Sequence, residues 1–314
     1  MSDQQTEPRA SLAEVDEETA GQRLDNFLLT RLKGVPRSHV YRLIRSGQVR
    51  VNSGRVQARY RLKAGDAVRL PPVRRRGPAV GPDAGDGLAW LAERIIFEDE
   101  RLLVVDKPAG LAVHGGSGLD FGLIEGLRSL RPGLKTLELV HRLDRGTSGC
   151  ILVAKKRSTL RALHALLRDG GIDKRYLALV RGQWQRGTLT VDSALRVDRE
   201  GASARVRVDP AGKPAVSRFR LIEHFGRRAS LLEIEIPTGR THQIRVHAAS
   251  VGSPVAGDER YGDPDFNADC TAFGLRRMFL HAQLIEFVWP DSGESFCISA
   301  PLPGELKAVL DRLA

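Results

Sequence analysis

Hydrophobic residues near the start of the chain recur at helical spacing and predict two short helices. The first covers residues 22–33, and the second opens at Pro36–Ser38 and ends at Gly47. The apolar faces of the two helices are expected to consist of Leu24, Phe27, Leu28, Leu32, Val40, Tyr41, Leu43 and Ile44. An alternating strand at 48–52 and a turn-rich stretch follow. The pattern therefore predicts a small α/β domain over residues 16–72.

The segments on either side of this small domain are polar and lack periodicity. Residues 1–15 are acidic and polar, and we expect them to form a disordered tail. Residues 73–89 are rich in glycine, proline and alanine, a composition typical of a linker. A second and larger domain is therefore expected over residues 90–314.

Short β-like runs dominate the chain beyond residue 90. A helical segment at 160–167 interrupts them, but strands and helices do not alternate regularly. The pattern favours an α+β domain built on a mixed, mainly antiparallel sheet. The runs that predict strands lie at 95–97, 102–105, 150–156, 174–182, 218–225, 229–239 and 284–290.

Composition narrows the class of protein. The 314 residues are 41% hydrophobic, which suffices for an ordinary core. No run of 18 or more apolar residues predicts a membrane span, and the N-terminus lacks the apolar stretch of a signal peptide. We therefore expect a cytoplasmic protein with no membrane partner. Cys150, Cys270 and Cys297 are far apart, which predicts reduced core thiols and neither a disulfide framework nor a metal site.

Positive charge is concentrated in the small N-terminal domain. The formal net charge of the chain is +11, and residues 21–76 alone carry 15 Lys and Arg against two acids. A surface of this kind attracts phosphate backbones through Coulomb attraction and counterion release. We therefore expect the domain to bind nucleic acid, with a solubilising face as the alternative interpretation.

A polar, glycine-rich segment directly before the strand at 150–156 carries the candidate chemistry. Asp144 stands there between Arg142 and Arg145, and nearby cations favour its ionised form. A surface ion-pair cluster is the simpler alternative. A protein-kinase loop is excluded because Leu143 separates Arg142 from Asp144, and no Gly-rich loop or Asp-Phe-Gly accompanies it. No second acid stands out as the partner that a glycosidase would need.

Four ordered segments resemble the motifs of the RluA family of pseudouridine synthases. The stretch at 141–156, HRLDRGTSGCILVAKK, looks like the family signature. Residues 107–114, 174–182 and 238–247 resemble three further motifs, and 279–282 follows the last of them. Several motifs in the right order are far more specific than any one match.

The small N-terminal domain resembles the S4 RNA-binding domain. The matching residues lie at 23–25, 36–38 and 44–52. This resemblance implies binding to structured RNA, whose A-form helix is sensed mainly by shape. Together the two resemblances imply isomerisation of uridine to pseudouridine in large-subunit ribosomal RNA. The S4 arginines expected to contact RNA are Arg23, Arg37, Arg42, Arg45 and Arg50.

The family resemblance also assigns roles in the large domain. It makes Asp144 the catalytic carboxylate and Arg245 the ion-pair partner that keeps it ionised, with phosphate binding as the alternative role of Arg245. Three mechanisms for the carboxylate remain open, namely attack on the sugar, attack on the pyrimidine and removal of a sugar proton. Tyr176 is expected to stack on the target base and to be placed to assist proton removal. The residues expected to bind substrate are Arg142, which fills the gap left by the extruded uridine, Leu280, which lines the uracil pocket, and Arg240.

No cofactor or metal is expected, because the isomerisation neither gains nor loses atoms. The remaining histidines of the motifs, His114, His141, His242 and His281, are expected to form structural hydrogen bonds. Two alternatives stay open: a synthase acting on transfer RNA, and a non-catalytic assembly factor that binds RNA through its S4 domain. We expect a monomer.

Overall fold

The chain divides into two units, Met1–Asp83 and Ala84–Ala314, in a computed structural model. The structure describes residues 10–17, 19–32, 35, 37–72, 88–115, 121–198 and 205–314. The predicted tail over residues 1–9 and the predicted linker over 73–87 lie outside these ranges.

Three short strands and two helices build the first unit. The strands form an antiparallel sheet in the order β1-β3-β2. Apolar side chains of both helices pack with the sheet in one buried cluster, as their helical spacing predicts. The elements are β1 Ser11–Glu14, α1 Leu24–Arg31, α2 Arg37–Arg45, β2 Arg50–Val51 and β3 Ala67–Leu70.

Two expectations for the first unit are wrong. The predicted tail reaches too far, because Ser11–Glu14 pairs with β3 as β1 and buries the alternating Ala13 and Val15. Only Ala13 of the strand is buried, and Val15 lies just beyond it, so the pattern is too short to stand out in an acidic sequence. Tyr41 is 36% exposed and does not join the apolar face of α2, because its hydroxyl donates to Asp25 at 2.8 Å.

The second unit contains a large sheet with helices packed on it. The expected linker ends earlier than residue 89, because Leu88 is buried and a helix begins directly after it. The elements are α3 Ala89–Ala92, β4 Ile95–Glu98, β5 Leu102–Lys107, α4 Leu123–Leu130, β6 Glu138–Leu139, β7 Ser148–Ala154, α5 Arg157–Asp169, β8 Ile172–Arg181, β9 Thr188–Asp192, β10 Leu195–Asp198, β11 Arg205–Val208, β12 Val216–Phe225, β13 Ala229–Glu235, α6 Gln243–Ser250, α7 Pro264–Ala272, β14 Leu280–Val288, β15 Ser295–Ser299 and α8 Gly304–Leu313.

The large sheet is mixed and mainly antiparallel, so the expected α+β class is confirmed. Its main path runs β4-β5-β7-β14-β8-β13-β12-β9, with β6 paired to β7 and β15 to β14. The pair β7 and β14 is parallel, whereas the other strand pairs of this sheet are antiparallel. The strands β10 and β11 form a separate antiparallel hairpin.

The parallel junction of β7 and β14 requires a glycine. Gly149 has a φ of +108°, and a Cβ placed on it would lie 2.1 Å from the carbonyl oxygen of Ala282. Because only glycine permits this approach, the two strands can pair directly after the polar loop that holds Asp144. The junction therefore places that loop beside the start of β14.

Two further observations concern the described part of the chain. None of its helices is long and apolar enough to cross a membrane. The expectation of core cysteines holds for Cys150 and Cys270 but is wrong for Cys297, which is exposed. Cys297 lies on β15, a strand at the side of the sheet whose residues alternate between exposed and half-buried positions.

Candidate active site

A cleft of about 1920 Å³ lies over the middle of the large sheet. The strand order β7-β14-β8 explains which residues line the cleft, because neighbouring strands bring motifs together that are distant in the sequence. Asp144 lies on the loop before β7, Leu280 opens β14 and Tyr176 lies on β8. The cleft lining includes every site residue predicted for this unit: Arg142, Asp144, Tyr176, Arg240, Arg245 and Leu280.

Asp144 places one carboxylate oxygen against Arg245, and its other oxygen has no hydrogen-bond donor within the described part of the chain. Its side chain is 24% exposed, and Oδ2 accepts a hydrogen bond of 3.1 Å from Nη1 of Arg245. Oδ1 accepts no hydrogen bond from the described residues. A carboxyl group held at one oxygen and open at the other has the geometry of a nucleophile or a base.

Arg245 is held more tightly by Asp258 than by Asp144. Its Nε and Nη2 donate to the two oxygens of Asp258 at 2.7 and 2.8 Å, the bidentate geometry that suits a guanidinium and a carboxylate. Burial acts to raise the pKa of Asp258, but the bonds from Arg245 outweigh it and the pKa is lowered. Asp258 is therefore an ionised anchor for the cation that contacts Asp144.

Sequence reasoning missed Asp258, which is 2% exposed. A buried acid needs a cation or hydrogen-bond donors as partners. The sequence offers only a Gly-Asp pair at 257–258, shortly after the arginine motif at 238–247. That signal is too general to identify an active-site residue without the structure.

Tyr176 lies in the cleft as a neutral phenol. It is 6% exposed, and burial raises its pKa, with the charge of Asp144 acting in the same direction. Tyr176 shares one buried cluster with Ile236, Met278 and Leu280, and all four line the cleft. An aromatic ring beside apolar side chains and one carboxylate suits a planar, mostly apolar base.

The buried amino group of Lys107 fixes the loop that carries Asp144. Lys107 is fully buried, and its Nζ donates to the carbonyl oxygens of Pro108 and Leu111 at 2.9 Å and of Arg145 at 3.3 Å. Gly110 and Arg145 exchange two further bonds of 2.8 Å. These contacts hold the backbone next to Asp144 against the loop after β5.

The segment before α6 is shaped by Gln243. Its Oε1 accepts from the backbone N–H of Arg240 at 3.0 Å and from Thr238 Oγ1 at 2.8 Å. These bonds turn the chain so that Arg245, in the first turn of α6, reaches Asp144. Thr238 and Gln243 thus have structural roles in the motif.

The histidines of the motifs differ in their surroundings. His141 accepts from the N–H of Leu152 at 3.2 Å, and burial lowers its pKa to about 3. His281 is bonded to Ser148 and to the carbonyl of Ala300. His242 makes the expected hydrogen bond, from Nδ1 to the hydroxyl of Tyr261 at 2.9 Å, and its Nε2 also lies 3.9 Å from Asp144 Oδ2.

Arg142 and Arg240 lie on the exposed rim of the cleft. Arg240 donates from Nε to the carbonyl of Pro214 at 3.0 Å, which fixes its guanidinium. The side chain of Arg142 makes no hydrogen bond or ion pair with the described residues. No described carboxylate therefore neutralises its charge.

The S4 arginines of the first unit are not equivalent. Arg42 and Arg45 are exposed on α2. Arg50 donates weakly, at 3.3 Å, to the carbonyls of Gly47 and Ser53. Arg23 instead makes a bidentate pair with the buried Asp25, which neutralises much of its charge. The side chain of the fifth, Arg37, lies outside the described residues.

Comparison with known proteins identifies the class. Residues 101–250 match the family model described as RNA pseudouridylate synthase, and residues 22–68 match the S4 domain. The chain therefore belongs to the RNA pseudouridylate synthase family, is an isomerase and carries an S4 domain, as the motifs predicted.

Individual relatives cover nearly all of the chain. It is 51% identical over 312 residues to the ribosomal large subunit pseudouridine synthase C of Salmonella typhimurium and to that of Escherichia coli K12, covering 98% of this chain and 97% of each relative. The solved structure of human RNA pseudouridylate synthase domain containing 1 is 29% identical, with a TM-score of 0.55, over 67% of this chain and 83% of that chain.

Proposed function

We propose that this protein isomerises uridine to pseudouridine in large-subunit ribosomal RNA, with Asp144 as the catalytic carboxylate. One observation carries the proposal: the free Oδ1 of Asp144 and the ring of Tyr176 line the same cleft, while Oδ2 is held by Arg245. The substrate class follows from the relatives, whose names specify the large ribosomal subunit.

The reaction breaks the N1–C1′ bond of uridine, turns the base and joins C5 to C1′. N1 gains a proton, C5 loses one, and no atom is added to the nucleotide. Asp144 acts at the sugar or at the base, and the bond from Arg245 to Oδ2 orients its carboxyl group. Tyr176 stacks on the base while it turns, which limits its escape from the cleft.

The target nucleotide must leave its RNA helix to reach Asp144. Extrusion of a paired base costs about a few kcal/mol, so a side chain that occupies the vacated space lowers the cost. Arg142 is suited to that task because it is exposed at the rim and unbonded within the described residues. Arg240 contacts a phosphate, and Leu280 lines the pocket for the uracil.

The first unit supplies affinity for RNA. We place the S4 RNA-binding domain at residues 10–72 and the catalytic domain at 88–314. Arg42, Arg45 and Arg50 contact phosphates, and Arg23 mainly supports the fold through Asp25. We further propose that the protein acts as a monomer in the cytoplasm, which light scattering of the purified protein and cell fractionation test.

A tritium-release assay tests the catalytic proposal. Fragments of large-subunit ribosomal RNA that contain [5-³H]uridine release tritium to water when C5 is joined to C1′. We expect the purified protein to release tritium and the variant Asp144→Asn to release none while it binds RNA normally. Asp169→Asn, an exposed residue at the end of α5, is the matched control and keeps full activity.

Two results would contradict the proposal. Tritium release by Asp144→Asn at the normal rate would remove this carboxylate from the chemistry. Release from transfer RNA with none from ribosomal fragments would overturn the substrate class.

A further inference from the structure

Tyr261 links strand β11 to His242 and Arg245 of the candidate active site. Its hydroxyl oxygen lies 2.9 Å from the backbone N of Val206 in β11 and 2.9 Å from Nδ1 of His242. Its ring lies 5.0 Å from Cζ of Arg245, in cation–π geometry. Because Nε2 of His242 lies 3.9 Å from Asp144 Oδ2, a continuous path of polar contacts runs from β11 to the carboxylate.

Counting protons along this path determines the tautomer of His242. The N–H of Val206 can only donate, so the hydroxyl oxygen of Tyr261 accepts it. The hydroxyl proton has no other acceptor among the described residues, so it is donated to Nδ1 of His242, which is then unprotonated. The ring proton therefore lies on Nε2 and is directed towards Asp144. The opposite tautomer would place a lone pair next to the negative charge of the carboxylate.

The surroundings of His242 keep the ring neutral and oriented. Burial lowers its pKa, against the attraction of Asp144 and Asp258. Its backbone has a φ of +55°, a conformation that residues with a side chain seldom adopt. The ring of Tyr261 packs edge-on against it, at 5.5 Å between centroids and 64° between planes. The imidazole is thus held at one nitrogen and presented at the other.

We propose that Tyr261 is a positioning residue that fixes His242 in the Nε2–H tautomer and so directs a second N–H at Oδ2 of Asp144. The inference rests on the proposed function of Asp144. Arg245 and His242 then both stabilise charge on Oδ2, which leaves Oδ1 to react. At 3.9 Å the imidazole acts through charge–dipole attraction, without a hydrogen bond.

The hairpin of β10 and β11 contributes to this arrangement. Leu195 and Val206 pack with Val246 of α6 and with Tyr261 in one small apolar cluster. The hairpin therefore packs on α6, the helix that also carries Arg245. The N–H of Val206 donates to the hydroxyl oxygen of Tyr261, which directs the hydroxyl proton to His242. Loss of the hydroxyl alone leaves the cluster and the cation–π contact in place.

Nitrogen-15 NMR of the free protein, labelled at histidine, tests the tautomer without any need for activity. We expect His242 to show an unprotonated Nδ1 and a protonated Nε2 near pH 8, with its signals identified by their loss in His242→Gln. In Tyr261→Phe both tautomers of His242 should be populated, so that its two nitrogen-15 shifts move towards each other. A protonated Nδ1 in the wild type, or an unchanged tautomer in Tyr261→Phe, would overturn the proposal.

Single-turnover kinetics tests the consequence for the reaction. Tyr261→Phe should lower the rate of the chemical step about tenfold, in keeping with one lost hydrogen bond, and leave RNA affinity unchanged. The double variant with His242→Gln should be no slower than His242→Gln alone, because the hydroxyl acts through the imidazole. Additive decreases in rate for the two substitutions would contradict this path. A purely structural defect in Tyr261→Phe would instead lower RNA affinity or the melting temperature.

A control and a cross-check complete the design. Thr271→Val removes a hydroxyl on the exposed side of α7, outside the cleft lining, and keeps the wild-type rate. If Asp144→Asn were active, the proposed function would fail while the NMR result stood. If Asp144→Asn were inactive but Tyr261→Phe kept the wild-type tautomer and rate, only the role of Tyr261 would be refuted.

Discussion

Asp258 binds the guanidinium of Arg245 through two hydrogen bonds, whereas Asp144 receives a single bond of 3.1 Å from the same group. The anchor of the cation is therefore Asp258, and the contact with Asp144 is the one free to change during the reaction. Because Asp258 fixes the guanidinium of Arg245, its Nη1 stays in position while the contact with Asp144 changes.

The variant Asp258→Asn tests this anchoring. An amide cannot accept both bonds from Arg245, so the guanidinium should lose its fixed position and Asp144 its partner. We expect single-turnover tritium release to fall about 100-fold, the scale of a misplaced catalytic group. RNA affinity, measured by filter binding, should stay unchanged. Asp269→Asn on the exposed side of α7 is the control, and an equal loss in both variants would contradict the prediction.

Substitutions of Tyr176 should separate stacking from the hydroxyl. Tyr176→Phe keeps a ring in the cleft and should bind RNA normally, whereas Tyr176→Leu removes the stacking, worth about 1–3 kcal/mol per base. A fluorescent base analogue beside the target uridine reports extrusion in both variants. We expect extrusion to persist in the Phe variant and to weaken in the Leu variant. Equal extrusion in both would show that the ring does not stack on the base.

Gly149→Ala should disrupt the junction that positions the Asp144 loop. The added Cβ would lie 2.1 Å from the carbonyl oxygen of Ala282, and φ is +108°. Neither backbone can move without breaking the pairing of β7 and β14, so we expect a loss of about 3 kcal/mol in the free energy of unfolding. Denaturant titration measures it. Gly133→Ala, where an added Cβ meets nothing within 4 Å, is the control and should change stability little.

The fold class and the candidate site residues, which the structure brings into one cleft, were predicted from the sequence for different reasons. The strands followed from apolar runs such as 102–105 and 150–156, which the structure buries as β5 and β7. The proposal of Asp144 as the catalytic carboxylate came from the family motifs and not from its chemistry, because an aspartate between arginines is usually a surface ion pair.

Other features could not be read from the sequence. Asp258 and Tyr261 lie more than 100 residues from Asp144, and only the sheet order brings their segment to the same cleft. The exposure of Cys297 and the strand at Ser11–Glu14 depend on which side of a sheet is covered. Local patterns carry no information on such long-range packing.

The double variant Arg42→Gln with Arg45→Gln tests the RNA-binding surface of α2. Each phosphate contact releases about one counterion, so the slope of log affinity against log salt should decrease by about 2. Affinity at low salt should decrease, while tritium release at saturating RNA stays unchanged. The control is Arg101→Gln in the second unit, which removes a surface ion pair with Asp291 of the same unit. An unaltered salt slope in the double variant would refute the assignment of this surface.

The buried Lys107 should make stability depend on pH. Burial lowers its pKa to about 7 from 10.5, with Arg277 acting in the same direction against Asp144 and Asp106. Between about pH 7 and 10 the unfolded chain holds a proton that the folded one lacks, so the free energy of unfolding rises with pH. Below pH 7 both states are protonated, and the cost of the buried charge is fully present.

Comparison with Lys107→Met isolates this contribution. From pH 7 to 9 the free energy of unfolding of the wild type should gain about 2 kcal/mol relative to the variant, following 1.4 kcal/mol per pH unit in that window. Urea titrations at a series of pH values measure it. The variant should be less stable throughout, because the carbonyls of Pro108, Leu111 and Arg145 lose their donor. Parallel curves for the two proteins would mean that Lys107 keeps an ordinary pKa, so that its three carbonyl partners compensate fully for burial.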